Sequence, residues 1–246
     1  MNVTANKPYS ICEIGKRFSN QNMIFPSKED AVHIQSNLFL VCDGAGNSNK
    51  GKMASSLACS AIHTYFHTFL DRQKKFDPEF LRKSVAYAEI LFDEYVENNP
   101  EAIGMSATLA LAYIAKEGVF VAYAGDSRIY QFRNGRIVFR TKDRSIHNTI
   151  KGTKEPAEIN IQKITGLCSD DIFFLCTGGV TESLSDEELS TIMVKDLSPG
   201  EKMKEIQEVC GERSLNNHSA YLIPILTIEK RSFVKQVINA FLYAFV

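Results

Sequence analysis

The chain has 246 residues, of which 44% are hydrophobic and 23% are charged. This length and apolar content suit one globular domain with an ample core. The formal net charge of −1 and the pI near 6.5 exclude a protein that binds nucleic acid through its overall charge.

The first half of the chain begins with Ser36 to Cys42, an apolar run that ends at Asp43-Gly44. This pattern predicts a buried strand that leads into a tight turn. Apolar residues at helical spacing from Ala54 to Phe69 predict an amphipathic helix. A second helix is predicted over Pro78 to Glu97, with Asp77 as its N-cap and proline in its first turn.

From Ser106 onward the pattern changes to short strand-like runs separated by hairpin turns. The runs are Ser106 to Ala115, Val119 to Ala124, Ile129 to Phe132 and Ile137 to Arg140. They predict an antiparallel meander, and the polar stretch from Asp143 to Asn160 is predicted to be a loop. Strands grouped in blocks between helix pairs indicate a layered α/β protein with antiparallel sheets.

The last third of the chain predicts a mixture of strands and helices. Strands are predicted over Ile161 to Leu167, Asp171 to Cys176 and Ala220 to Ile228. Helices are predicted to begin at Ser185 and to cover Pro199 to Val209, the second one ending because of Gly211.

Residues 230–246 are predicted to be a C-terminal apolar helix that follows a domain of residues 1–229. The apolar positions between Phe233 and Val246 follow helical spacing, and the segment is too short to span a bilayer. It either packs on the domain itself or binds a partner or a membrane surface, an alternative favoured by Lys230, Arg231 and Lys235.

Localisation is predicted to be cytoplasmic. Met1 to Gly15 lack the basic segment and apolar stretch of a secretory signal. The six cysteines include no C-x-x-C pair, which favours buried free thiols in a reduced compartment.

Five groups of short segments stand in an order and spacing that resemble the protein phosphatase 2C family. They are Gly15 to Asn22, Val41 to Gly46, Ser106-Ala107-Thr108 with Gly125-Asp126-Ser127-Arg128, Phe174 to Thr181, and Leu215 to Ser219. The resemblance implies an α/β (α+β) sandwich of two stacked, mainly antiparallel sheets flanked by helices. It also implies metal-dependent hydrolysis of phosphorylated serine and threonine in signalling, with two divalent ions, Mn²⁺ or Mg²⁺, that activate a water molecule and clamp the phosphate.

The resemblance also assigns roles residue by residue. Asp43 would bridge both ions, Gly44 would offer its backbone carbonyl, and Asp126 would lie at the edge of the metal site. Arg17 would bind the substrate phosphate.

Four positions depart from the family pattern, and each loses a carboxylate. Gln21, Asn22 and Asn216 carry amides, and Gly178 carries no side chain. An amide oxygen can touch a cation but brings no charge, so two divalent ions would lack the negative charge they need. We therefore predict a pseudophosphatase, a non-catalytic regulatory or phosphoprotein-binding module that binds no metal tightly. Its protein partner could be phosphorylated and held by Arg17. The alternative is an active metal-dependent phosphatase with a rearranged metal site.

Acidic residues near the Thr177-Gly178-Gly179 segment could substitute for the lost ligands. They are Glu182, Asp170, Asp171 and Asp186. We interpret them instead as solvated acids of loops and helix starts.

Overall fold

The computed structural model describes residues 2–13, 22–25, 37–45, 48–72, 76–142, 149–152 and 156–228. The strands within these ranges are β1 Asn2–Ala5, β2 Tyr9–Glu13, β3 Asn22–Phe25, β4 Leu38–Ala45, β5 Ser106–Ala107, β6 Leu109–Ala115, β7 Gly118–Ala124, β8 Arg128–Arg133, β9 Arg136–Arg140, β10 Ile150–Lys151, β11 Asn160–Ile164, β12 Asp171–Cys176 and β13 His218–Ile228. The α-helices are α1 Ser48–Phe69, α2 Pro78–Asn98, α3 Gly178–Ser183, α4 Asp186–Val194 and α5 Pro199–Arg213.

The strands form two antiparallel sheets. One sheet has the order β1-β13-β12-β8-β9, with β2 also paired to β13. The other has the order β10-β5-β4-β6-β7-β11, with β3 also paired to β4. Every strand pair described is antiparallel, which confirms the fold class predicted from the sequence.

Three apolar clusters hold four layers together. The central cluster joins the facing sides of the two sheets, for example through Phe39 and Tyr221, whose rings meet edge to face at 5.5 Å. A second cluster packs α1 and α2 on the outer side of the β4 sheet. A third packs α3, α4 and α5 on the outer side of the β12 sheet. The helices therefore cover both outer faces of the sandwich.

Local signals account for where the helices begin. The side chain of Asp77 accepts a hydrogen bond from the Glu79 N–H, as predicted for the N-cap of α2. Ser185 begins α4 with a reciprocal capping box, in which its hydroxyl accepts from the Glu188 N–H and the Glu188 carboxylate accepts from the Ser185 N–H.

Several boundaries differ from the prediction: β11 ends at Ile164 and not at Leu167, and β13 begins at His218 and not at Ala220. Two further differences have a local physical reason. Helix α5 continues through Gly211 to Arg213, because Met203, Ile206 and Cys210 keep its inner face buried. The predicted strand over 106–115 is divided at Thr108, which bonds to β4 through both its backbone N–H and its hydroxyl.

Several other predictions concern parts of the chain that are described only partly. The C-terminal segment 230–246, half of the predicted loop over 143–160, Arg17 and Gln21 lie outside the described residues. In the described half of that loop, Ile150–Lys151 forms β10 and Asn160 begins β11, so the prediction of one continuous loop was wrong there. In the part of the chain that the structure describes, no helix is long and apolar enough to cross a membrane. Of the five cysteines whose side chains are described, all are free thiols, and Cys168 is exposed rather than buried as predicted.

Candidate functional site

A cavity of about 250 Å³ opens at the edge of the sandwich where the two sheets meet. Its walls come from the end of β4, the β5–β6 junction, the turn between β7 and β8, Thr149 before β10, the start of α3 and the loop before β13. The lining residues are Asp43, Gly44, Ala45, Thr108, Asp126, Thr149, Gly178, Gly179, Glu182, Asn216 and Asn217. Residues that are distant in sequence thus meet in one place.

Asp43 is held in place by Thr108. The Asp43 N–H donates to the Thr108 hydroxyl at 3.0 Å, and the Thr108 N–H donates to the Asp43 carbonyl at 2.8 Å. The Thr108 hydroxyl also bonds to the Ser127 hydroxyl at 2.6 Å. One buried threonine therefore ties the end of β4 to the turn that carries Asp126.

Replacing Thr108 with valine is expected to lower the free energy of unfolding by about 1 to 3 kcal/mol, because the Asp43 N–H and the Ser127 hydroxyl lose a partner inside the protein. Urea unfolding would measure the change. Thr191→Val is the matched control, since Thr191 is exposed and its hydroxyl bonds only within α4. Equal losses in the two variants would contradict this role of Thr108.

Close backbone approach explains the glycine beside Asp43. A Cβ atom on Gly44 would lie 1.7 Å from the Gly51 carbonyl oxygen, so no side chain fits between β4 and α1 there. Gly125 has φ +79°, a left-handed conformation that favours glycine, and directs the chain into Asp126.

Asp126 occupies space beside Gly178. A Cβ atom built on Gly178 would lie 3.1 Å from Asp126 Oδ2. The position where the family carries an aspartate is therefore next to a carboxylate that is already present, and a side chain there would require Asp126 to move.

Glu182 lies on α3 and faces the same cavity, one helical turn after Gly178. Its Oε2 accepts a hydrogen bond from Asn216 Nδ2 at 2.6 Å. Our interpretation of Glu182 as a simple solvated acid was incomplete, because this exposed residue also lines the cavity. No signal in the sequence could have placed it there, because a four-residue spacing from Gly178 means a shared face only in a helix, and Gly178 and Gly179 do not favour one.

The other acids near this segment lie elsewhere. Asp171 is fully buried, not solvated, and accepts hydrogen bonds from Gln131 and Arg133. Asp186 bonds to Tyr130 and Arg140. Asp170 lines a separate groove.

The charges of the cavity repel one another. Burial, followed by the negative charges of Asp126 and Glu182, raises the pKa of Asp43 from 3.8 to about 7, against a smaller opposing effect of the Gly44 backbone N–H. A substantial share of Asp43 is therefore protonated at neutral pH, and the cavity carries less than its formal charge.

The predicted site residues are partly brought together. Asp43, Gly44, Asp126, Gly178 and Asn216 line the cavity, and their roles as metal positions stay predictions. Asn22 lies opposite Asp43 in the β3–β4 register, which places its backbone beside the site.

The described residues of the cavity do not fit a pair of divalent ions. Gly178 contributes no ligand, and the amide of Asn216 donates to Glu182. Among the described residues, no three histidine, cysteine, aspartate or glutamate side chains are grouped so that they could hold one metal ion.

Comparisons with known proteins agree with this fold. The Serine/threonine protein phosphatase PstP of Mycobacterium tuberculosis is 25% identical over 195 residues, which cover 70% of this chain and 37% of PstP. The Serine/threonine phosphatase stp of Listeria welshimeri is 25% identical over 189 residues, which cover 67% of this chain and 75% of that protein. The chain thus spans little more than a third of the length of PstP.

Solved structures give the same result for the fold. The serine/threonine phosphatase of S. agalactiae superposes with a TM-score of 0.75 at 20% identity, over 89% of this chain and 98% of that one. The catalytic domain of PstP, solved in complex with two manganese ions, superposes with a TM-score of 0.74 at 19% identity, over 92% of this chain and all of that one. The sequence profile of the protein phosphatase 2C family matches residues 27–217, well over half of the chain. The chain therefore belongs to the protein phosphatase 2C family.

Proposed function

We propose that this chain is a pseudophosphatase, a protein phosphatase 2C domain that binds a protein partner and does not hydrolyse phosphate esters. The observation that carries the proposal is the lack of a carboxylate at both Gly178 and Asn216 in the cavity. In the described structure, three acids line the cavity: Asp43, Asp126 and Glu182. They carry at most three negative charges, against the four positive charges of two divalent metal ions.

The alternative is hydrolysis at a rearranged metal site. One observation favours it: Asp126 and Glu182 lie close enough to Asp43 for their charges to raise its pKa. A single cation between these acids would relieve their repulsion. On this alternative, Asp43→Asn and Glu182→Gln would each abolish turnover.

The experiment that separates the two is a Mn²⁺ titration of the whole chain by calorimetry, followed by an assay with p-nitrophenyl phosphate in the same sample. We expect no heat of binding at micromolar Mn²⁺ and no turnover above the blank at millimolar Mn²⁺. Mn²⁺-dependent turnover that disappears in Asp43→Asn would overturn the proposal and establish the alternative.

A further inference from the structure

Another groove lies at the end of the sandwich opposite the cavity. Strand β12 begins in this groove with Asp171 and Ile172 and leads to Gly178 in the cavity wall. Strand β13 runs the other way, from Asn217 beside the cavity to Pro224 in the groove. We name it the Val194 groove; its volume is about 480 Å³, and its lining residues are Phe132, Asn134, Gly135, Ser169, Asp170, Asp171, Ile172, Met193, Val194, Leu197, Pro199, Lys202 and Pro224.

The floor of the Val194 groove is apolar. Phe132, Ile172 and Pro224 stand opposite one another on the adjacent strands β8, β12 and β13. Leu226 stands two residues after Pro224, on the same face of β13, and is 41% exposed. Val194, at the end of α4, is 66% exposed on the wall. A continuous apolar surface of this kind indicates a place that another segment or molecule covers.

The chain leaves its described part beside this groove. Strand β13 ends at Ile228, four residues after Pro224, which is about 13 Å along the strand. The connection from Ile228 to Phe233 spans about 17 Å when it is extended. The apolar segment that begins at Phe233 is therefore close enough to turn back into the groove.

The C-terminal segment has an apolar side that requires such a surface. The helix predicted over residues 233–246 would be about 21 Å long. At helical spacing, its large apolar residues share one side: Phe233, Val234, Val237, Ile238, Phe241, Leu242 and Phe245. Lys235 and Asn239 fall on the opposite side. A helix of this pattern is stabilised when its apolar side packs on an apolar surface.

The charges around the groove are compatible with this segment. Asp170 lines the groove, and Asp196 stands beside the lining residue Leu197; both acids are exposed. Lys202 also lines the groove, and its ammonium group donates a hydrogen bond to the Met193 carbonyl oxygen at 2.7 Å. Residues 230–246 contain no acid and three basic residues: Lys230, Arg231 and Lys235. Exposed pairs of opposite charge orient the segment more than they strengthen its binding.

We propose that residues 233–246 bind as a helix in the Val194 groove of their own domain. Their apolar side packs on Ile172, Val194, Leu197 and Pro224. The short connection favours the chain's own segment over that of a second copy, because it raises the effective concentration of the segment at the groove. The groove is separate from the cavity, so this inference goes beyond the proposed function and does not depend on it.

The test is hydrogen–deuterium exchange of the full chain, followed by mass spectrometry of peptides from residues 233–246. We expect their amides to exchange about tenfold or more slowly than those of an unstructured peptide of the same sequence. Val194→Arg should speed this exchange about tenfold, because it places a charge under the apolar side of the helix. Ile103→Arg is the matched control, since Ile103 is 64% exposed and does not line the groove, and it should leave the exchange unchanged.

A pair of variants in the segment itself keeps the test decisive if Val194→Arg disturbs the fold of the domain. Phe241 lies at the centre of the predicted apolar side, and Asn239 lies on the polar side. Phe241→Asp should speed the exchange of residues 233–246 about tenfold, whereas Asn239→Asp adds the same charge and should leave it unchanged.

Three results would each overturn the inference: exchange at the rate of an unstructured peptide, equal exchange in Val194→Arg and Ile103→Arg when both are folded, or equal exchange in Phe241→Asp and Asn239→Asp. Protection that rises with protein concentration would also overturn it and would assign the segment to a second copy. Protection that appears only with phosphatidylglycerol vesicles would overturn it in favour of a membrane surface.

Discussion

Restoring four acids is expected to give the protein an affinity for Mn²⁺ that the wild type lacks. The variant combines Gln21→Glu, Asn22→Asp, Gly178→Asp and Asn216→Asp, the positions where the family pattern carries carboxylates. Four added negative charges would offset the charge of two divalent ions. We expect micromolar affinity in calorimetry. At a Mn²⁺ concentration about 1,000-fold above the dissociation constant, binding should stabilise the folded variant by about 4 kcal/mol.

The Gly178→Asp change in this variant adds a second expected result, which concerns the stability of the metal-free protein. Its Cβ atom would lie 3.1 Å from Asp126 Oδ2, so the new carboxylate is forced against an existing one. Without metal, the restored variant should therefore be less stable than the wild type, and Mn²⁺ should reverse the loss. Addition of Asp43→Asn to the four changes is the control, and it should remove the affinity. If the restored protein binds no Mn²⁺, the argument from lost charge is wrong.

Asp43→Asn is expected to stabilise the metal-free protein at about pH 8 by about 2 to 4 kcal/mol. The pKa of Asp43 is raised from 3.8 to about 7 by burial and by Asp126 and Glu182. Each unit corresponds to about 1.4 kcal/mol, and the partial exposure of Asp43 reduces the total. An asparagine has no charge to bury, so it avoids this cost. Urea unfolding of the wild type and the variant across the pH range would measure the difference.

The direction of the pH dependence follows from whether folded or unfolded Asp43 binds its proton more tightly. Folded Asp43 keeps its proton up to about pH 7, whereas unfolded Asp43 loses it near 3.8. The wild type should therefore have the full contribution of this group below about pH 4 and lose it as the pH rises to about 7. The difference in the free energy of unfolding between the wild type and Asp43→Asn should grow over that range. Asp196→Asn is the control, since Asp196 is exposed and does not line the cavity. If the difference in the free energy of unfolding between the wild type and Asp43→Asn is constant with pH, the raised pKa of Asp43 is contradicted.

Most elements of the fold could be predicted from the sequence because their apolar residues repeat at the period of a helix or a strand. Helix α2 and strand β12 begin at the predicted residues. Helix α3 could not be predicted, since its six residues begin with Gly178 and Gly179, which are weak helix formers. Its position depends on packing: a Cβ on Gly179 would lie 2.2 Å from the Asn217 carbonyl oxygen.

The sequence predicted the residues of the candidate site that lie in a motif, and it missed those that only the fold brings to the cavity. Asp43 and Asp126 were singled out by their motifs. Glu182 and Thr149 have no motif, and they reach the cavity because α3 and the residues before β10 meet there. The sequence also could not indicate the repulsion between the cavity acids, which depends on their burial and mutual distance.

The separation between the cavity and the three apolar clusters has an evolutionary consequence. None of the lining residues belongs to a cluster, so the packing that stabilises the fold does not depend on what the cavity binds. A lineage can exchange the charges of the cavity one at a time while each intermediate stays folded, provided that Gly44 and Gly179 keep their close backbone contacts. Such a domain can lose one ligand and acquire another without passing through an unfolded ancestor.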